Sequence, residues 1–365
     1  MLFILTGGGT AGHINPALAM AQMLRRAYPD ATFYFMGKKD GLEYSLAKKA
    51  NIPFIPIRAM GLKRSLSPRN IKAAFLALSE PYRLKKMMRA LSPAAVIGTG
   101  GYVCYPVIKA AHMLGIPCFL HESNAIPGLA VKLCEKMATR IFLQFPDAMR
   151  HLRYPDKALA IGAPLRDGFE KADCKRARQR LGISQRDFFV LSFGGSIGAE
   201  GLNDACIAFM QKAEKRERDI RCLHGCGARC YEDLKKRFTP SSSKMALLPY
   251  INDMNLYMAA ADLVIARAGA ITLSELSALA KPSILIPSPF VANDHQRKNA
   301  LLFQEKGASI MIEEEALSAD LLLDKVLYLK ASPHLLSKMS NAACKIFSFD
   351  TERLFLKEMK NILGV

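Results

Sequence analysis

The chain has 365 residues, half of them hydrophobic, and 51 Lys+Arg against 32 Asp+Glu give a formal net charge of +19. That length is comfortable for two domains, and that apolar content builds a core without disulfides or metals. No stretch approaches the roughly 18 consecutive apolar residues of a membrane span, and "MLFIL" is too short and lacks the basic flank of a signal peptide, so a cytoplasmic protein is expected.

In chain order, "LFIL" (2–5) reads as a buried strand running into "GGGTAGHINP" (7–16). Gly7, Gly9 and Gly12 match the G-x-G-x-x-G spacing of a dinucleotide turn, with His13 directly behind the last glycine. The next strand, "TFYFMG" (32–37), should then end in an acid to hold a ribose, but it runs into Lys38 and Lys39, with Asp40 late. An NAD-dependent dehydrogenase is thereby disfavoured.

From Arg58 to Leu91 there are nine basic residues (Arg58, Lys63, Arg64, Arg69, Lys72, Arg83, Lys85, Lys86, Arg89) and one acid, Glu80. Ile71, Phe75 and Leu78 share a helical face, Pro81 interrupts, and Leu84, Met87, Met88 and Leu91 resume the apolar positions. A helix pair with a solvated basic side is one reading. An apolar face lying on an anionic membrane, rimmed by bases, is the other. Charge favours the second: residues 1–163 carry 22 Lys+Arg and 8 Asp+Glu (+14), the remainder 29 and 24 (+5). Nucleic acid would also answer that charge, but there is no Trp and no binding motif, so no nucleic-acid partner is expected.

Further strands follow at 94–98, 117–122, 140–145 and 158–162, then at 188–195, 220–225, 245–250, 262–269, 283–289 and 309–312. Near-continuous apolar strands separated by helical patterns predict parallel sheets covered on both faces. Each half restarts with a strand and a Gly-rich loop. The α/β fold expected is two doubly wound, Rossmann-like domains in tandem with a cleft between them. The link is expected near "GAPLRDGF" (162–169). Nine scattered cysteines fit a reducing compartment. The cluster Cys222, His224, Cys226 and Cys230 has no C-x-x-C pair, which argues against zinc.

Ligands of such sheets bind at the strands' carboxyl ends. There "GTGGY" (98–102) offers Gly100, Gly101 and Tyr102, and "HESNAIPG" (121–128) offers Glu122 and Asn124. In the second half "FGGSIGA" (193–199) and "RAGAITLSE" (267–275) each open a helix whose N-terminus favours an anion. Glu275 can accept from ribose hydroxyls, "YINDM" (250–254) can present backbone to a base, and Asp294, His295 and Gln296 suit sugar hydroxyls. Together these loops describe a nucleotide-diphosphate-sugar pocket. Singly, each is also an ordinary strand-to-helix turn, and Glu275 alone reads as a solvated acid complementing a helix dipole.

"GGGTAGHINPALAMA", "GTGGYVCYP", "HESNAIPG", "GAPLR", "GGSIGA", "RAGAITLSE" and "DHQRKNA", in this order from residue 6 to about 300, resemble the MurG family. These are family 28 bacterial glycosyltransferases that add N-acetylglucosamine to a lipid-linked muramyl-pentapeptide. The resemblance implies a GT-B fold, with an acceptor- and membrane-binding domain (1–163), a UDP-sugar domain (164–345) and a C-terminal segment (346–365) packing back on the first domain. It implies that Thr10, Ala11, Gly12, Asn124, Arg166, Ser196, Ile251, Ala270, Ile271, Thr272, Leu273, Ser274, Glu275 and Gln296 bind the UDP-N-acetylglucosamine donor. Gly100, Gly101, Tyr102, Lys63, Arg64, Ile71, Phe75 and Leu78 would serve the acceptor, an undecaprenyl-linked muramyl-pentapeptide (lipid I, giving lipid II), or the membrane. Position 11 is alanine where the family usually has glycine.

The implied reaction is an inverting displacement at the cytoplasmic face of the inner membrane, with the protein bound peripherally and with cell-wall synthesis and division proteins as further partners. It calls for no cofactor and no metal, because helix N-termini and Arg166 can stabilise the departing UDP. His13 is the first candidate for the base, with Glu122 and His121 as alternatives. A GT-B transferase with another lipid acceptor, or a UDP-sugar epimerase, is the rival reading.

Overall fold

The structure, a computed structural model, describes every residue except 62–67, 166–167, 170–172, 196–198, 292–293, 348–349 and 365, together with the side chain of Arg69. Lys63, Arg64, Arg166 and Ser196 therefore lie outside the described residues. The chain divides into two compact units: Met1–Arg166 with Phe349–Val365, and Asp167–Ser348.

Unit 1 is built on β1 (Leu2–Thr6), β2 (Thr32–Gly37), β3 (Phe54–Pro56), β4 (Ala95–Gly98), β5 (Cys118–Glu122), β6 (Arg140–Leu143) and β7 (Ala158–Ala160). They form one sheet in the order β3-β2-β1-β4-β5-β6-β7, with every pairing parallel. In register, Leu5 lies between Phe35 and Ile97. Phe3, Ile4 and Leu5 are fully buried because helices cover both faces of a parallel sheet, which is why the strand reads as an unbroken apolar run. The sequence pattern missed β3. Three residues are too few to show a period, and Pro56 suits the sheet edge that β3 occupies.

The helix Pro68–Leu91 runs unbroken through Pro81, so the expected interruption there does not occur. It has two opposite faces, and the buried one already includes Ala73, so Leu84 and Met88 do not continue the stripe of Ile71, Phe75 and Leu78. Leu84 and Met88 are buried, whereas Ile71, Phe75, Leu78 and Tyr82 are 68–75% exposed. The helix Thr351–Leu363 packs in unit 1 through Phe355, whose ring meets Phe142 edge-on at 5.3 Å. Thr351 Oγ1 donates to Ile161 O at 2.6 Å, and Arg26 grips Glu352 with bonds of 2.9 and 2.7 Å.

Unit 2 carries β8 (Phe188–Phe193), β9 (Ile220–Gly225), β10 (Met245–Leu248), β11 (Leu263–Ala266), β12 (Ser283–Leu285) and β13 (Ser309–Met311). The order is β10-β9-β8-β11-β12-β13, again all parallel. Both sheets reverse their strand order beside the unit's first strand, between β1 and β4 and between β8 and β11. Loops leaving such a switch point splay apart and open a crevice. The glycine-rich stretches follow these strands.

Candidate active site

In unit 1 the first loop, Gly7–Thr10, leads into the helix Ala11–Ala27. It is locked to the loop after β4: Gly8 N donates to Gly100 O at 3.3 Å, and Thr99 Oγ1 donates to His13 O. Gly100 has φ of +102°, which side chains rarely adopt. A Cβ there would stand 2.8 Å from His13 Cδ2 and 3.2 Å from Nε2, so glycine lets this loop lie along the imidazole. Gly12 is different. A Cβ there would meet only Thr10 Oγ1, at 3.7 Å. The fold does not require glycine at 12, and the bare helix start leaves room for an anionic group to approach backbone N–H groups.

His13 is half-buried. Its Nδ1 lies 3.2 Å from Gly8 O and 3.2 Å from Thr10 Oγ1. A carbonyl can only accept, so this geometry favours the proton on Nδ1 and the lone pair on Nε2, the nitrogen on the Gly100 side. Thr10, Ala11, Gly12, Gly100, Gly101 and Tyr102 thus gather around the first loop, where a Cβ at position 9 would stand 3.5 Å from Tyr102 Cε1. Sequence reasoning passed over Glu43. It is fully buried, accepts from Lys38 N at 3.0 Å and from Gly9 N at 3.5 Å, and so braces the loop from behind.

The alternatives to His13 have other work. Glu122 is buried at the end of β5. Its Oε1 accepts from Asn124 N (2.8 Å) and Asn124 Nδ2 (2.9 Å), and its Oε2 accepts from Gly128 N (2.7 Å). Burial raises its pKa, and these hydrogen bonds pull it back. Glu122 organises the "HESNAIPG" loop and orients Asn124. His121 has no exposed surface, and burial pushes its pKa down to about 4. Its Nδ1 lies 3.3 Å from Ser123 Oγ and its Nε2 3.5 Å from Gly162 O.

The exposed stripe of the helix Pro68–Leu91 is flanked by exposed Lys72, Lys86 and Arg89. Glu80, the acid of this stretch, turns inward. It accepts from Arg58 N at 2.9 Å and from Arg83 Nε at 3.0 Å, so it is paired with Arg83.

In unit 2 the helix Ala270–Ala278 starts at the switch point with no acid in its first turn. Ile271 and Thr272 are half-buried, whereas the side chains of Ala270, Leu273 and Ser274 face inward and can offer only backbone at the surface. Glu275 is 5% exposed, so the plain reading of it as a solvated first-turn acid is overturned. The strand end before this helix is clamped. Arg267 donates to Ile286 O and Pro287 O (each 3.3 Å) and pairs with Glu314, while Asn299 Nδ2 donates to Ala268 O at 3.2 Å. Ile251 is buried against Gly225, so its backbone is what the loop can offer a base.

Gln296 Oε1 accepts from Ser288 N at 2.9 Å, leaving its NH2 end to donate to a ligand. Asp294, just before it, adopts a left-handed φ of +52°, a conformation costing about 1 kcal/mol or more that tends to persist where a site over-determines it. Of the cysteine–histidine cluster, His224 has both ring nitrogens engaged by other side chains. Among the described residues no group of three His, Cys, Asp or Glu is arranged to hold a metal ion.

Comparison with known proteins decides the family. The profile of the Glycosyltransferase family 28 N-terminal domain matches residues 3–143, and that of the family's C-terminal domain matches residues 189–354. A protein of Acetivibrio thermocellus named UDP-N-acetylglucosamine--N-acetylmuramyl-(pentapeptide) pyrophosphoryl-undecaprenol N-acetylglucosamine transferase is 39% identical, over 97% of this chain and 96% of its own. The chain belongs to glycosyltransferase family 28. Its fold is GT-B. MurG of Acinetobacter baumannii superposes with a TM-score of 0.76 at 24% identity, covering 99% of each chain. A UDP-GlcNAc 2-epimerase of Neisseria meningitidis bound to UDP-GlcNAc also shares the fold, with a TM-score of 0.69 at 14% identity over 99% of this chain and 100% of its own. The fold therefore does not separate transferase from epimerase. Full-length identity to the transferase does.

Proposed function

We propose that this family 28 enzyme transfers N-acetylglucosamine from UDP-N-acetylglucosamine to the 4-hydroxyl of the muramyl sugar of undecaprenyl-pyrophosphoryl-N-acetylmuramyl-pentapeptide, converting lipid I to lipid II. The observation that carries this reading is the 39% identity, across nearly the whole chain, to a relative of that name. Unit 2 holds the donor. The N-terminus of helix Ala270–Ala278 faces the diphosphate with N–H groups, Glu275 accepts from the ribose, and Gln296 reads the sugar. Ser196 belongs to this set by its place in the motifs. Unit 1 handles the acceptor, and its Thr10, Ala11, Gly12, Asn124 and Arg166 serve the donor by their place in the motifs.

The chemistry is a single displacement. The acceptor oxygen bonds to the anomeric carbon as the bond from that carbon to the diphosphate oxygen breaks, and UDP leaves with the electron pair. Configuration inverts. The hydroxyl proton passes to His13 Nε2, the lone-pair nitrogen in the geometry above. Positive potential at helix starts stabilises the charge gathering on UDP.

The exposed apolar stripe with its basic rim supports peripheral binding to an anionic membrane, placed at the cytoplasmic face where a nucleotide-sugar donor is available. No described helix is long and apolar enough to cross a membrane. Cell-wall synthesis and division proteins are proposed as partners at that surface.

The test is UDP release from UDP-N-acetylglucosamine with and without the lipid-linked muramyl-peptide. Acceptor-dependent release is expected. Epimerised UDP-sugar formed without acceptor would instead establish the rival reading.

A further inference from the structure

Under the donor loops of unit 2 runs a buried polar chain that the chemistry above does not use. Ser192, in β8, places its hydroxyl 2.8 Å from His224 Nδ1, in β9. His224 Nε2 is 3.0 Å from Asn203 Oδ1, in the first turn of helix Glu200–Arg216. Asn203 Nδ2 donates to Cys226 O at 2.9 Å. All three side chains are buried. The direction of each bond follows from donor and acceptor identity. The Asn203 amide must turn its NH2 to the Cys226 carbonyl, so its oxygen faces His224 and can only accept. Nε2 therefore carries the proton, Nδ1 carries the lone pair, and the Ser192 hydroxyl donates to it.

What the chain joins gives it meaning. β8 leads into Gly194–Gly195, helix Glu200–Arg216 emerges from the far side of that loop, and β9 ends at Gly225. Cys226 N in turn donates to Leu248 O (3.0 Å), at the end of β10, from which the chain runs on to Ile251. Gly225 packs against the Ile251 side chain. One uncharged relay thus sets the mutual height of the elements that flank the "GGSIGA" loop and the "YINDM" loop. An apolar side chain at 224 would fill the space but fix none of these heights, since packing is tolerant of small slides where directed bonds are not.

We propose that His224 is a positioning residue for the donor: through Ser192 and Asn203 it sets how Gly194–Gly195, after β8, and Gly225–Cys226, at the end of β9, meet the diphosphate and the base of the UDP-sugar. This rests on the reading of unit 2 as the donor site. The role is specific to one substrate, which separates it from general support of the fold.

The experiment compares His224→Leu with His224→Gln in the full-length protein, measuring Kd for UDP and KM for each substrate. Leu removes both bonds, and the donor KM and UDP Kd are expected to rise about tenfold, the loss associated with a buried hydrogen bond, with the acceptor KM within about twofold. Gln can accept from Ser192 with Oε1 and donate to Asn203 with Nε2, and is expected to restore most of the donor affinity. An unchanged donor KM in soluble His224→Leu, equal rises for both substrates, or a Gln variant no better than Leu would overturn the proposal. If His224→Leu does not fold, Ser192→Ala, which breaks one bond at little change in volume, carries the same comparison with an expected rise of about threefold. Wild-type protein that binds no UDP would overturn the donor-site reading itself, and is thereby distinguished from failure of the relay.

Discussion

Each unit contains one fully buried histidine, His121 in unit 1 and His224 in unit 2, and burial pushes both pKa values from 6.5 down to about 4. The folded state binds the neutral ring, whereas the unfolded chain takes up a proton near pH 6.5. Between those values the unfolded state holds more protons, so stability falls as pH falls. The contribution is fully present above about pH 6.5, is lost progressively toward pH 4, and then levels off. A difference of 2.5 pKa units amounts to about 3 kcal/mol for each histidine, against a total of about 5–15 kcal/mol for a typical domain.

His224 gives the cleaner measurement. In unit 1 the raised pKa of Glu122 acts in the opposite sense, because a folded carboxyl that binds its proton more readily than the unfolded one gains stability on acidification. The chain has no Trp, so calorimetry or circular dichroism suits the melts better than intrinsic fluorescence. Comparing wild type with His224→Gln at pH 7.5 and 4.5, the wild-type transition of unit 2 should lose about 2–3 kcal/mol more than the variant's. Equal losses would show that His224 is not held neutral by its surroundings, and the reasoning from burial would fail.

Three further outcomes are expected. His13→Ala should lower turnover by about 100-fold or more with the circular dichroism spectrum unchanged, and near-normal turnover would remove His13 as the base. Replacing Ile71, Phe75 and Leu78 together by serine should weaken binding to anionic vesicles while shifting the melt little, because these side chains are already exposed; undiminished binding would place the membrane contact elsewhere. Phe355→Ala should destabilise unit 1 by about 3–5 kcal/mol, since it deletes a buried ring packed on Phe142, and an unshifted melt would mean that the C-terminal helix does not depend on that contact.

The strands and the glycine loops were legible because their signals are local. β1 and β8 are apolar runs that stop at glycine, and a parallel strand buried on both faces must look that way. β3 left no such trace, being three residues long and ending in Pro56. Pro81 reads as a break because proline lacks an N–H, but one missing bond does not end a helix whose next turns bury Leu84 and Met88. The residues around the site divide in the same way. Gly12 and His13 stand out through spacing within one loop.

Glu122 is ambiguous in the sequence, since a carboxylate two residues before an asparagine fits a base or a brace equally well. Its part as a brace comes from Gly128, six positions on, folding back to donate. His224 is the sharpest case. By spacing it belongs with Cys222 and Cys226. By register it stands opposite Ser192, because β8 and β9 pair in parallel with those residues side by side, 32 positions apart in the chain. Choosing between a metal ligand and a hydrogen-bond relay required knowing which strand is β9's neighbour and in what register. A shift of one residue would have turned Ser192 to the opposite face of the sheet and left the imidazole without its donor. Parts of the site made by adjacent residues can therefore be read from the sequence, whereas parts made by pairing between strands exist only once the sheet has formed.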